Sequence, residues 1–171
     1  LRNDLKDKGV KFDSLGDTEV ILKSLQINGS DSIEKFNGMW SLLYYDDSKK
    51  EITVSRDRFG KKPLYYYYDD DKIIFSSEIK SIYSLLNKKI ILNKDFLTYY
   101  YLTGYWNNNS DKTFYKNIFQ VRPGITAKIN LLNDNLDGDY VFYVNADDNF
   151  KGIVEKTELA EQWGFHMIAP N

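Results

Sequence analysis

At Met39 the sequence changes from a helical to an extended pattern, and from there to Phe75 its apolar runs are joined by polar segments too short for a parallel crossover. Met39 to Tyr45, Glu51 to Ser55, Leu64 to Tyr68 and Ile73 to Phe75 read as strands. Asp46 to Lys50 and Asp69-Asp70-Asp71 read as turns, and Arg56 to Lys62 as a charged, glycine-containing connection. Ile52 and Val54 share one side of their strand, and Pro63 can open the next run without forfeiting an interior ladder bond. The economical arrangement of these four runs is an antiparallel meander.

Helical spacing flanks this region. Leu1 and Leu5, four apart and followed by Gly9, read as the end of an amphipathic helix. Val10 to Phe12 would suit a brief strand. Asp17 can cap a helix whose apolar residues Ile21, Leu22 and Leu25 share a side, and Asn28-Gly29 ends it. Ser30 or Asp31 starts a short second helix through Ile33 and Phe36, which Asn37-Gly38 breaks. Ser77 to Leu86 is helical again, with Ser76 or Ser77 as its cap and Ile79, Ile82 and Leu86 on one face. Asn93 caps a further helix that stops near Gly104. Asn107 to Asp111 reads as a solvated loop, Ile118 to Val121 and Ile125 to Leu131 as a strand pair about Pro123-Gly124, and Tyr140 to Val144 as an edge strand. Helices that cover antiparallel sheets place the chain in the α+β class.

The 171 residues match one domain of roughly 100–200 residues. Lys and Arg total 23 against 25 Asp and Glu, a net charge of −2. That balance gives no long-range attraction to nucleic acid or to an anionic membrane, so neither is expected as a partner. With no cysteine and one histidine, the chain holds no disulfide scaffold, catalytic thiol or site needing two imidazoles. No metal is expected, and no run reaches the roughly 18 apolar residues of a membrane span. The start at Leu1, without an initiator methionine, reads as a fragment or a processed product.

Most conspicuous residues have plain structural readings. The tyrosines of Tyr65 to Tyr68 and Tyr99 to Tyr101 suit half-buried surfaces, and acidic Asp69, Asp70 and Asp71 beside the first run disfavour base stacking. Asp46-Asp47 and Asp147-Asp148 suit turns, and His166 has no partner cluster. Two places stand out. Asp17, where a loop enters a helix, is either an N-cap or a carboxylate able to accept hydrogen bonds from the ammonium of an amino-acid substrate. In Ser55-Arg56-Asp57-Arg58-Phe59-Gly60-Lys61-Lys62-Pro63, two guanidiniums astride one carboxylate can hold a tight loop between strands.

Four ordered blocks then point to a family. Asp17-Thr18-Glu19-Val20-Ile21-Leu22, Phe36-Asn37-Gly38-Met39-Trp40, Arg56 to Tyr66 and Phe75-Ser76-Ser77-Glu78-Ile79-Lys80, with Arg122-Pro123-Gly124 later, resemble the class II glutamine amidotransferase domain of glutamine-hydrolysing asparagine synthases over about Leu1 to Leu131. The resemblance implies a partial four-layer αββα N-terminal-nucleophile hydrolase sandwich with antiparallel sheets, spanning 1–146, and a divergent tail at 147–171. In the family an N-terminal cysteine opens the glutamine carboxamide, and ammonia passes to a synthetase domain that activates aspartate with ATP and magnesium. Asp17 matches the family aspartate that holds the α-ammonium of glutamine. Gly38, Arg56, Asp57, Arg58, Gly60 and Glu78 match positions of structural support.

The resemblance also defines what is not in these residues. Leu1-Arg2 corresponds to the helix after the family's Asn-Gly-Glu segment, so the nucleophile, the oxyanion segment and the substrate-carboxylate arginine lie upstream. No catalytic residue is therefore assigned, and the chain by itself is expected to be inactive. Glutamine is the expected substrate of the intact parent, with the synthetase domain in cis and ATP and magnesium confined to that domain. A cytoplasmic location is expected. A homo-oligomer, a different acceptor such as a sugar carboxylate, and a non-catalytic binding or structural module built on the same fold all stay open.

Overall fold

The structure, a computed structural model, describes residues 1–69, 72–86, 89, 91–105, 110–131 and 141–142. Asp70-Asp71, Asn107 to Asn109, Asp147-Asp148, His166 and the expected 146/147 boundary lie outside them. The chain divides into two units, Leu1–Gly38 and the residues from Met39 onward.

The first unit holds α1 (Arg2–Asp7), α2 (Asp17–Asn28) and a 3-10 helix over Gly29–Lys35. Its buried apolar residues are Leu5, Val20, Leu25, Ile33 and Phe36. On α2 the buried stripe runs from Val20 to Ser24 and Leu25, about one helical turn further on, while Ile21 and Leu22 are half-buried. The second expected helix is a tight 3-10 turn that starts at Gly29, whose carbonyl accepts a 2.7 Å bond from Ser32 Oγ. Val10 to Phe12 forms no strand. The Val10 amide turns back to the Leu5 carbonyl at 3.0 Å, and the Phe12 ring packs under Arg2 Cζ (4.6 Å) and Lys23 Nζ (5.2 Å).

The second unit is built on two sheets. The first has the order β1 (Ser41–Asp46), β2 (Glu51–Arg56), β6 (Thr126–Asn130), and is antiparallel throughout. The second has the order β5 (Ile118–Gln120), β3 (Tyr65–Tyr68), β4 (Ile73–Ser76), β7 (Val141–Phe142). Its first three strands are antiparallel, and the two-residue β7 lies parallel to β4 at the edge.

The meander is thus overturned, and so is the pairing of Ile118 to Val121 with Ile125 to Leu131. The Arg56–Lys62 connection carries the chain from one sheet to the other, and Arg122-Pro123-Gly124 carries it back. The pleat supplies the reason. Ile73 and Phe75 pack with Ile52, Val54, Leu64 and Val121 in one cluster, whereas Tyr67 and Ile74 pack with Ile82, Leu86 and Ile118 in another. A strand that is apolar on both faces needs a cover on each. The first sheet covers one face of the second, and α3 (Ile79–Leu86) covers the other. Each buried Ile, Val, Leu or Phe is worth about 1.5–3 kcal/mol, so these clusters outweigh the loop hydrogen bonds as the source of stability.

The remaining helix, α4 (Lys94–Thr103), follows the sequence closely. Asn93 Oδ1 accepts the Phe96 amide at 3.2 Å, and Gly104 closes the C-terminus in a left-handed conformation. The Phe114 ring stands edge-on to Phe96 and Tyr100, each at 5.3 Å. The architecture is α+β, with two small, largely antiparallel sheets and several helices.

Candidate functional site

Asp17 is the first helical residue of α2, and Gly16, in extended conformation, is the N-cap. The capping reading of the Asp17 side chain therefore fails: it makes no cap hydrogen bond, because the carboxylate sits one position too far into the helix. The side chain is exposed, and among the described residues none hydrogen-bonds or pairs with it. Its two oxygens are left as free acceptors, the chemistry needed to receive N–H groups from an ammonium.

The loop before Asp17 is held by residues that the sequence reading passed over as ligands. Glu19 Oε1 accepts the Asp13 amide at 2.9 Å, and Oε2 accepts the Ser14 amide and Ser14 Oγ, each at 2.7 Å. Lys23 Nζ lies 2.8 Å from Glu19 Oε1 and also donates to the Lys11 carbonyl. Ser14 Oγ accepts the Gly16 amide at 3.2 Å. Arg2 donates Nη1 to the Ser14 carbonyl and Nη2 to the Gly16 carbonyl, each at 2.9 Å. The Lys23 ammonium first, then the Asp13 amide and the Ser14 hydroxyl, hold the Glu19 carboxyl down at about 2. The sequence signal was present: Glu19 is the third residue of the helix, where a capping-box carboxylate reaches back, and Lys23 follows four later.

The Arg56-Asp57 segment lies in the second unit and has a different character. Arg56 is buried and sends no hydrogen bond to Asp57. It donates to the carbonyls of Lys62 (2.8 Å), Val121 (2.6 Å) and Gly60 (2.9 Å), and more weakly to Gln120 Oε1 (3.4 Å). Asp57 is fully buried, and its carboxylate accepts the amides of Phe59 (3.1 Å), Lys61 (3.0 Å) and Lys62 (2.9 Å). Its carbonyl accepts the amides of Gly60 and Gly124, each at 2.9 Å. Burial pushes the Asp57 carboxyl up, but the main-chain donors outweigh it and the net shift is downward. The picture of two guanidiniums clasping one carboxylate is corrected for Arg56: loop carbonyls and amides outcompete the ion pair for both side chains.

The other expected support residues take these places. Arg58 Cζ lies 5.7 Å from the centre of the Trp40 ring, and Trp40 Nε1 donates to Ser55 Oγ (3.0 Å), which in turn meets Thr126 Oγ1 (2.9 Å). Gly38, at φ 142°, stands in the link between Phe36 and Trp40. Glu78 pairs with Lys80 at 2.6 Å, and its amide donates to Ser76 Oγ at 3.1 Å. Among the described residues no three His, Cys, Asp or Glu side chains are grouped to hold a metal ion, and no helix is long and apolar enough to cross a membrane.

Largely antiparallel sheets covered by helices, in a chain that carries no cysteine, define an α+β protein without a thiol of its own. Residues 1–141 match the family model described as the glutamine amidotransferase domain, and the chain belongs to that family. It is related to the glutaminase domains of glutamine-hydrolysing asparagine synthetases. It is 38% identical over 164 residues to a protein of Methanocaldococcus jannaschii named putative asparagine synthetase (glutamine-hydrolyzing) 2, covering 93% of this chain and 30% of that protein. Bacillus subtilis asparagine synthetase (glutamine-hydrolyzing) 1 is 31% identical over 163 residues, covering 95% of this chain and 24% of its own. Asparagine synthetase (glutamine-hydrolyzing) 2 of the same organism is 34% identical over 123 residues, covering 70% and 16%. The chain thus spans less than a third of the length of each of these relatives.

Proposed function

We propose that this chain is the glutamine-recognising part of an asparagine-synthetase-like amidotransferase, in which Asp17 receives the α-ammonium of glutamine. The observation that carries the reading is the free, exposed Asp17 carboxylate at the start of α2, within a chain matched to the glutamine amidotransferase domain over residues 1–141. In this reading residues 1–146 form part of a four-layer αββα sandwich, and 147–171 are a separate tail. Gly38, Arg56, Asp57, Arg58, Gly60 and Glu78 hold the scaffold and make no bond to substrate. Ammonia released from glutamine amidates aspartate on a synthetase domain, where ATP and magnesium act. The described residues supply no ligand set for that metal.

The chemistry of the 171 residues is then limited to recognition. A carboxamide is opened by a nucleophile that forms an acyl-enzyme, and a chain without cysteine offers no thiol to do it. The expected result is no release of glutamate or ammonia by the 171-residue chain. When it is joined upstream to the segment that precedes the matched region in a Bacillus subtilis relative, which in this reading brings the nucleophilic cysteine, hydrolysis is expected to appear. Asp17→Asn in that joined form should lower kcat/KM by about a hundredfold or more, since an ammonium held by one charge-assisted partner loses it. Turnover by the short chain, or an Asp17→Asn variant with unchanged kcat/KM, refutes the proposal.

A further inference from the structure

We infer that Glu19, acting through Ser14, is the positioning residue for Asp17, so that the α2 entry is a preset amine receptor; this deepens the proposed function and rests on it. The Gly16-Asp17 peptide leads directly into the Asp17 side chain. The peptide oxygen is held by Arg2 Nη2 at 2.9 Å, and the preceding amide of Gly16 by Ser14 Oγ at 3.2 Å. Ser14 is itself fixed at three points: its amide and hydroxyl donate to Glu19 Oε2, and its carbonyl accepts from Arg2 Nη1. Glu19 thus accepts two amides, one hydroxyl and the Lys23 ammonium, and all of these partners come from residues 13–23.

A carboxylate with that many donors spends no oxygen on substrate. Its effect is to remove freedom from the segment that aims Asp17, which stands two residues earlier on the same helix. Replacing Glu19 by Gln keeps the shape but substitutes a donor amide for one acceptor oxygen, which then faces donors. Ser14→Ala cuts the link to Gly16 and leaves the Glu19–Lys23 pair in place. Misplacement of a binding group by about 1 Å is enough to cost orders of magnitude in a tuned site.

The test uses the 171-residue chain and two ligands that differ only in the α-ammonium, L-glutamine and glutaramic acid, titrated while the Gly16, Asp17 and Thr18 amides are followed by NMR. Wild type is expected to prefer glutamine, and Asp17→Asn to erase that preference. Glu19→Gln and Ser14→Ala are each expected to reduce it about tenfold or more, with glutaramic acid binding unchanged. Equal weakening of both ligands by Ser14→Ala would be a general loss of fold and sinks the positioning role. If the preference survives in Glu19→Gln and Ser14→Ala but vanishes in Asp17→Asn, the inference fails and the Asp17 reading stands. If it survives in Asp17→Asn, or wild type shows none, the Asp17 reading itself fails and takes the inference with it. Ser14→Ala, an exposed side chain, carries the test should Glu19→Gln fail to fold.

Discussion

Gly60→Ala is the sharpest probe of the crossing between the sheets. Gly60 has φ 62°, and a methyl there would stand 2.7 Å from Pro123 Cγ and 3.2 Å from Arg56 Cζ and Nη2. The left-handed backbone costs a residue with a Cβ about 1–2 kcal/mol. Relief by movement is blocked on both sides. The proline ring is stiff and its turn is pinned by the Gly124 amide on Asp57, while the guanidinium is tied to three carbonyls. Overpacking of this kind adds about 1–3 kcal/mol, so the sum is about 2–5 kcal/mol. Gly104→Ala separates the two parts, because Gly104 has φ 66° in the same unit but nothing within 4 Å of its would-be Cβ. It should lose only the backbone part. Urea unfolding followed by circular dichroism should lower the Gly60→Ala midpoint by about 1 M or more with an unchanged slope, and the Gly104→Ala midpoint by clearly less. Equal losses in the two variants refute the claim that the crossing is sterically closed at Gly60.

Arg56→Lys keeps the charge but replaces a fork of donors with one ammonium, leaving at least one of the carbonyls of Gly60, Lys62 and Val121 unserved; a loss of about 2–4 kcal/mol in the same unfolding assay is expected, and a loss under about 0.5 kcal/mol would contradict the geometry. Glu19 should titrate with a midpoint near 2 when its side-chain carboxyl is followed by NMR. Because the folded value lies below the ordinary 4.5, its contribution is fully present above about 4.5 and is lost as the pH falls toward 2. A midpoint near 4.5 would mean that the Lys23 and loop contacts do not hold in solution.

The local elements were legible because each carries its own punctuation. Asn93 and Gly104 bracket α4, and Ile79, Ile82 and Leu86 face the sheet as their spacing requires. Strand pairing was not legible. Alternation tells which side chains share a face, but not which sheet a strand joins, and the short Arg56–Lys62 connection looked like a hairpin link while it changes sheets. At the candidate site, Asp17 stood out by residue type and place, but its position in the helix was misjudged by one because Gly16 serves as the N-cap without a side chain. Glu19 was hidden in plain sight: a carboxylate in a first helical turn reads as favourable charge, and only the fold shows that it gathers four donors.

The sheet crossing also explains why an arginine and an aspartate stand side by side without bonding to each other. Where β2 ends and the chain leaves the ladder, main-chain groups of both kinds lose their strand partners while remaining partly or wholly buried, and each needs a substitute. Arginine has only donors and the carboxylate only acceptors. Arg56 accordingly collects carbonyls from Gly60, Lys62 and Val121, and the Asp57 side chain collects amides from Phe59, Lys61 and Lys62. A direct ion pair would satisfy the two side chains and abandon those backbone groups. The adjacent opposite charges still help at a distance: burial lowers the Arg56 pKa, and the Asp57 charge works against that shift. Division of labour between the two neighbours thus lets one short segment close both crossings, since Arg56 reaches Val121 before the return turn and Asp57 holds Gly124 within it.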